Sequence, residues 1–149
     1  RRRFWELLSR LAREEGVAIL ITTHYLSEAE HCDRLALMYA GRIVAEGTPA
    51  HLKKQVERDI GQLVEMVVDK PGIALAHVVA AGFAGAALFG TKIHVLSRDP
   101  GRDEGRLRDV LARSGIAVGS VRTRMLSLED VFVSRVMALE QAAQKEVSA

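Results

Sequence analysis

A single cysteine, Cys32, stands among the 149 residues of this chain. One thiol excludes a disulfide framework within the chain and fits a reducing compartment. Charge of one sign is equally scarce. With 21 Lys and Arg against 19 Asp and Glu, the formal net charge is +2, which sets up no strong field toward nucleic acid. Arg1 to Arg3, Arg122 and Arg124 are few and not interleaved with aromatics, so they read as solvated charge. No signal peptide is legible, because the leading arginines run into the mixed stretch FWELLSRLAREE instead of an apolar core. One charge-free run, Pro71 to Thr91, is about as long as a membrane span requires. It is dominated by Ala and Gly, contains His77 and is interrupted by Gly72, Gly82, Gly85 and Gly90, so it reads as a small helix and a buried strand. Apolar residues are what the chain does have. At 48% they exclude low-complexity disorder and suffice for one ordinary domain or two small ones. The first residue is not Met, which suggests a piece of something longer.

Along the chain, Phe4, Leu7, Leu8 and Leu11 recur at helical spacing, and Gly16 ends that helix. Val17 to Ile21 is a continuous apolar run, predicted as a strand covered on both faces in the manner of parallel sheets. Ser27 and Glu30 make an S-x-x-E capping pattern that predicts a helix of about two turns beginning just after Leu26. Leu35 to Tyr39 and Arg42 to Glu46 flank Ala40-Gly41 as a hairpin. Thr48 and Pro49 then open another helix as N-cap and first residue. A domain boundary is expected between Glu57 and Gly61, dividing the chain into 1–58 and 59–149.

The second part alternates differently. Leu63 to Val68, Ala86 to Phe89, Lys92 to Leu96 and Ile116 to Thr123 read as strands. Ile73 to Ala81 and a segment around Leu107, Val110 and Leu111 read as helices, with Asp99 to Asp103 as a loop. Ser127 caps a last helix whose face is Leu128, Val131, Phe132, Val136 and Leu139, expected to pack on the sheet. The order βαββαβ plus a helix suggests a ferredoxin-like α+β domain.

His24 is the residue with chemical promise. It follows a predicted buried strand and precedes a helix, the end of an α/β sheet at which ligands bind. An imidazole there can donate to a phosphate oxygen or orient a water. His24, Glu28 and His31, with Cys32 adjacent, also have the spacing of metal ligands on one helix, but the Ser27 cap puts His24 before that helix. Glu30 and Asp33 flank Cys32 and would raise its thiol pKa, so Cys32 reads as a packing residue.

The stretch ILITTHYLSEAEHCDRLALMYAGRIVAEGTP, Ile19 to Pro49, resembles the switch-histidine region of ABC transporter ATPases. The likeness runs through TTH, EAE at Glu28 to Glu30, CDR at Cys32 to Arg34, the Gly41-Arg42 turn and Gly47-Thr48-Pro49. RRRFWELLSRLAREEG resembles the helix after the D-loop of that family, and LSLEDVF, Leu126 to Phe132, resembles the C-terminal extension of ATPases serving ABC-2-type exporters. The resemblance implies that residues 1–58 are the C-terminal part of an α/β P-loop ATPase domain and that 59–149 are a ferredoxin-like extension. It implies that His24 contacts the ATP γ-phosphate and helps hold the attacking water. It further implies ATP and Mg2+ as cofactors, a second ATPase half and a membrane-embedded permease as partners, no nucleic acid, and work at the cytoplasmic face of the membrane. The chain holds no G-x-x-x-x-G-K-[ST] loop, no LSGGQ-like signature and no apolar strand ending in Asp-Glu, so alone it is expected to be inactive. It is also expected to self-associate through Phe4, Trp5, Leu8 and Val17 to Ile21. The competing reading is a stand-alone module that binds a small effector or another subunit across the sheet of residues 62–125.

Overall fold

The computed structural model describes residues 2–147. Helix α1 (Arg2–Glu14) leads into a stretch without regular structure, then a single-turn helix α2 (Leu26–Ala29). An antiparallel hairpin follows, β1 (Leu35–Tyr39) and β2 (Arg42–Gly47). Its turn has positive φ at Ala40 and Gly41, the two-residue geometry whose twist matches a hairpin. Helix α3 (Pro49–Asp59) starts where the sequence signals it, the Thr48 hydroxyl accepting from the His51 N–H.

Beyond Gly61 the elements run β3 (Gln62–Val68), α4 (Pro71–Ala80), β4 (Ala87–Phe89), β5 (Lys92–Ser97), α5 (Pro100–Arg113) and β6 (Val118–Arg124). The four strands form one antiparallel sheet in the order β4-β5-β3-β6. Alternation explains how β3, at its centre, is buried on both faces. Val64, Met66 and Val68 point into a core with Ala74 and Val78 of α4, Ile93 and Val95 of β5, and Leu107 and Leu111 of α5. Leu63 points the other way, into a second core with Leu37 of β1, Leu52 and Val56 of α3, Leu126 and Val131. The last helix, α6 (Leu128–Val147), carries Val131 and lies against α2, α3 and β2.

Four expectations need correction. Val17 to Ile21 forms no strand: no other strand among the described residues pairs with it, and Leu20 is 96% exposed. A strand exists only through its ladder partners, whatever its apolar content. The helix expected after Leu26 begins at that residue and lasts one turn, with Tyr25 rather than Ser27 in the capping position and no side-chain cap bond. The loop expected over Asp99 to Asp103 is the start of α5, because Asp99 accepts from the Arg102 N–H as an N-cap and Pro100 takes the first helical position. Finally, α6 packs by Leu128 and Val131, both wholly buried, whereas Phe132 is half-buried and meets the Tyr39 ring edge-on in the hairpin.

Gly61 is the joint between α3 and the sheet. Its φ of +133° suits glycine, and a Cβ there would lie 2.2 Å from the Ser97 carbonyl oxygen. Neither backbone can yield without breaking the β3–β5 ladder. Gly61→Ala is therefore expected to lower unfolding free energy by more than about 2 kcal/mol. Gly105→Ala, in the body of α5 with nothing within 4 Å of the new Cβ, is expected to raise it by about 0.5–1 kcal/mol. Urea denaturation of the two variants checks the contrast. Equal midpoints would contradict it.

Candidate functional site

His24 sits in the irregular stretch that links α1 to α2. It is exposed, its ring tilted against Tyr25 with centroids 4.1 Å apart. The Thr23 side chain organises the turn. Its hydroxyl accepts from the Tyr25 N–H at 3.0 Å and donates to Glu28 Oε2 at 3.0 Å. This local pairing takes the place of the expected Ser27 cap.

The other residues of the metal-ligand spacing are drawn elsewhere. Glu28 is engaged by Thr23, and His31 stacks on Trp5 of α1 at 4.9 Å. Glu30 pairs with Lys53 of α3 at 2.6 Å. Cys32 is partly buried, and burial with the neighbouring Asp33 carboxylate pushes its thiol pKa up. Among the described residues no three His, Cys, Asp or Glu side chains converge on one point. Trp5, Arg10, Arg13, Ser27, Glu28 and His31 instead line an open groove of about 790 Å³ between α1 and α2, and His24 is not part of its wall. On α1, Phe4 and Leu7 remain exposed, as do Val17 and Leu20 beyond it.

A second constellation lies under α6. Glu65 is 2% exposed in the middle of β3, directly across the ladder from His94 of β5. Because alternate residues of a strand share a face, Lys92 and Arg124 come to the same side. Lys92 Nζ reaches Glu65 Oε1 at 3.1 Å, His94 Nε2 reaches Oε2 at 3.2 Å, and Arg124 pairs with the same oxygen. The other ring nitrogen, Nδ1, lies 2.6 Å from Oδ1 of Asp130 in the first turn of α6. Asp130 Oδ2 accepts from the N–H and hydroxyl of Ser127, whose hydroxyl accepts in turn from the Asp130 N–H at 3.2 Å. Phe89 stacks on the far side of the imidazole at 4.3 Å.

Ser127 was legible in the sequence as a cap. Glu65, His94 and Asp130 were not, since 29 and 36 residues separate the partners and only the fold unites them. The one signal was a charge, Glu65, inside the otherwise apolar QLVEMVV. With α4 and α5 on one side of the sheet and α6, α3 and the hairpin on the other, both faces of β3 are covered. The space left beside His94, Leu96 and Asp130 is about 20 Å³, room for one water. Central strand β3 itself thus offers no open face, whereas Leu88 of β4 and Arg122 to Arg124 of β6 stay exposed.

No family model matches the chain. It is 34% identical over 131 residues to the Nod factor export ATP-binding protein I of Rhizobium sp. (strain N33), covering 87% of this chain and 40% of that protein. It is 46% identical over 59 residues to the probable multidrug ABC transporter ATP-binding protein YbhF of Escherichia coli (strain K12), 40% of this chain and 10% of that protein. The energy-coupling factor transporter ATP-binding protein EcfA1 of Caldanaerobacter subterraneus is 34% identical over 71 residues, 46% of this chain and 26% of that protein. The chain thus spans two fifths or less of these curated relatives. A match as long as the first takes in His24, Glu65 and His94 wherever it begins.

The network under α6 has a measurable acid signature. Burial pushes the Glu65 carboxyl up, but hydrogen bonds from Lys92, Arg124 and His94 outweigh it and hold the pKa at about 2. Asp130 is lowered too: burial opposes this, and the bonds to His94 and Ser127 prevail. A carboxyl depressed in the folded state contributes stability above its ordinary value, and that contribution is lost as pH falls through the folded value. For Glu65 the window runs from 4.5 down to about 2. The carboxyl carbon resonance of Glu65 should accordingly titrate near the lower end of that window. A midpoint at the ordinary glutamate value would contradict the network.

Proposed function

From a chain that belongs to the ABC transporter ATP-binding proteins, we infer the C-terminal part of an ATPase subunit that drives export through a membrane-embedded partner. Residues 1–58 are the end of its α/β P-loop domain, and residues 59–149 are a ferredoxin-like extension. The observation that carries this reading is the match to a Nod factor export ATP-binding protein over 87% of the chain, because it takes in both parts together. The strand order β4-β5-β3-β6 with α4 and α5 on one face supports the extension's assignment. No helix among the described residues is long and apolar enough to cross a membrane.

His24 is the switch histidine in this reading. It is exposed at the end of a segment without regular structure, and its ring can donate to one phosphate oxygen. ATP with Mg2+ supplies the phosphoryl group and the charge that has to be stabilised. The chain has no G-x-x-x-x-G-K-[ST] loop, so its own residues fit a single contact and not a nucleotide cradle. The remaining contacts belong to the rest of the subunit and to a second ATPase half. Phe4, Leu7, Val17 and Leu20, exposed here, are the surface the rest of the domain covers. In isolation they drive self-association.

In the intact ATP-binding subunit, His24→Ala is expected to lower turnover at least about tenfold while ATP affinity stays within about twofold, since the ring acts on the transition state more than on the ground state. The 149-residue chain alone should show no micromolar heat of ATP binding on titration. Unchanged turnover would remove His24 from the mechanism, and tight binding by the chain alone would overturn the division of labour.

A further inference from the structure

The segment that presents His24 has no ladder and no long helix to hold it. Residues 16–25 form no ladder, and α2 is one turn with no side-chain cap. A single turn is far below the length at which a helix sustains itself. Besides the Thr23–Glu28 bond, the Glu30–Lys53 pair and the Trp5–His31 stack, its position rests on what Leu26 and Ala29 pack against. Ala29 is buried, and Leu26 lies on the core that contains Leu126 and Val131. Those two residues flank the first turn of α6, and Val131 directly follows Asp130.

The first turn of α6 is fixed by polar contacts as well as apolar ones. Asp130 closes a reciprocal cap with Ser127 and is gripped at 2.6 Å by His94, which is itself held to Glu65. The middle of the sheet is thus joined through His94 and Asp130 to the chain neighbour Val131, whose core cluster Leu26 packs against, two residues from His24. We propose that His94 and Asp130 are positioning residues for His24, setting where the α2 segment lies by pinning the first turn of α6 to the sheet. This rests on reading His24 as the phosphate-facing residue. The test below uses no nucleotide, so failure of the positioning and failure of that reading are separate results.

The experiment compares the chain with its His94→Gln variant by NMR. Two signals are followed: amide exchange over Leu26–Ala29, and the His24 ring resonance, which the Tyr25 ring shifts by lying 4.1 Å away. The variant is expected to raise exchange over Leu26–Ala29 about tenfold and to move the His24 resonance toward that of a free histidine, with α4 and α5 protection retained. A purely local role for His94 would leave His24 unmoved, since the two residues share no contact. Loosening of the first turn of α6 with no change at Leu26–Ala29 or His24 would overturn the proposal. If the variant loses α4 and α5 protection as well, Ser127→Ala decides, because it weakens the same turn from a half-buried site. A smaller rise at Leu26–Ala29 then supports the proposal, and no change overturns it.

Discussion

One imidazole between two carboxylates is the constraint on which the arrangement depends. His94 joins Glu65, in the middle of the central strand, to Asp130, in the first turn of the last helix. Buried ionic groups of this kind add little net stability compared with apolar residues of the same shape, because removing each charge from water costs several kcal/mol. Breaking one partner is different, since it strands a charge that nothing else compensates. The network therefore acts mainly as a specification. Apolar surface alone would let α6 slide along the sheet, whereas a hydrogen-bonded His94 and Asp130 admit one register.

From that register follows the second core. With α6 in place, Leu128 and Val131 are wholly buried, and Val131 joins Leu63, Leu52, Val56 and Leu37. Polar ties extend the same docking outward. The Tyr39 hydroxyl donates to Glu140 at 2.7 Å, and Arg135 lies 3.9 Å from Asp59. These outer pairs are exposed and each is worth little, but they link the hairpin and α3 to one helix. The hairpin, α2 and α3 thus form one packed unit with the underside of the sheet, although the sequence marks a boundary between Glu57 and Gly61. Among the described residues, the ties of α1 to the rest include the Trp5–His31 stack and an exposed Arg13–Asp33 pair at 3.5 Å.

What was legible in the sequence follows from how far apart the deciding residues lie. Thr48-Pro49 and Ala40-Gly41 act within a few residues, and their helix start and turn stand where expected. The strands and helices after Gly61 were read from the spacing of apolar residues, a local signal that agrees with the final packing. Ser27 misled because the Thr23 hydroxyl pairs with Glu28 and Tyr25 stands at the cap position. Asp99 was read as loop because Pro and Gly follow it, although Asp before Pro is also a helix start. Val17 to Ile21 has the composition of a buried strand, but pairing is a property of neighbours, and none of the described strands supplies one. The Glu65–His94–Asp130 contacts join residues far apart in sequence, and periodicity carries no information about such contacts. His24 was singled out by its place after a predicted strand that does not form, and by the motif around it. Its neighbours, and what holds them, came only from the fold.

The most direct test of this account is a double-mutant cycle on His94 and Asp130, using His94→Gln, Asp130→Asn and the pair, with stability read from urea denaturation. If the two side chains act as one link between the sheet and α6, the double variant should lose clearly less than the sum of the single losses, with a coupling of at least about 1 kcal/mol. Additive losses, with coupling near zero, would mean that α6 is held by its apolar face alone and that the polar link under it decides nothing.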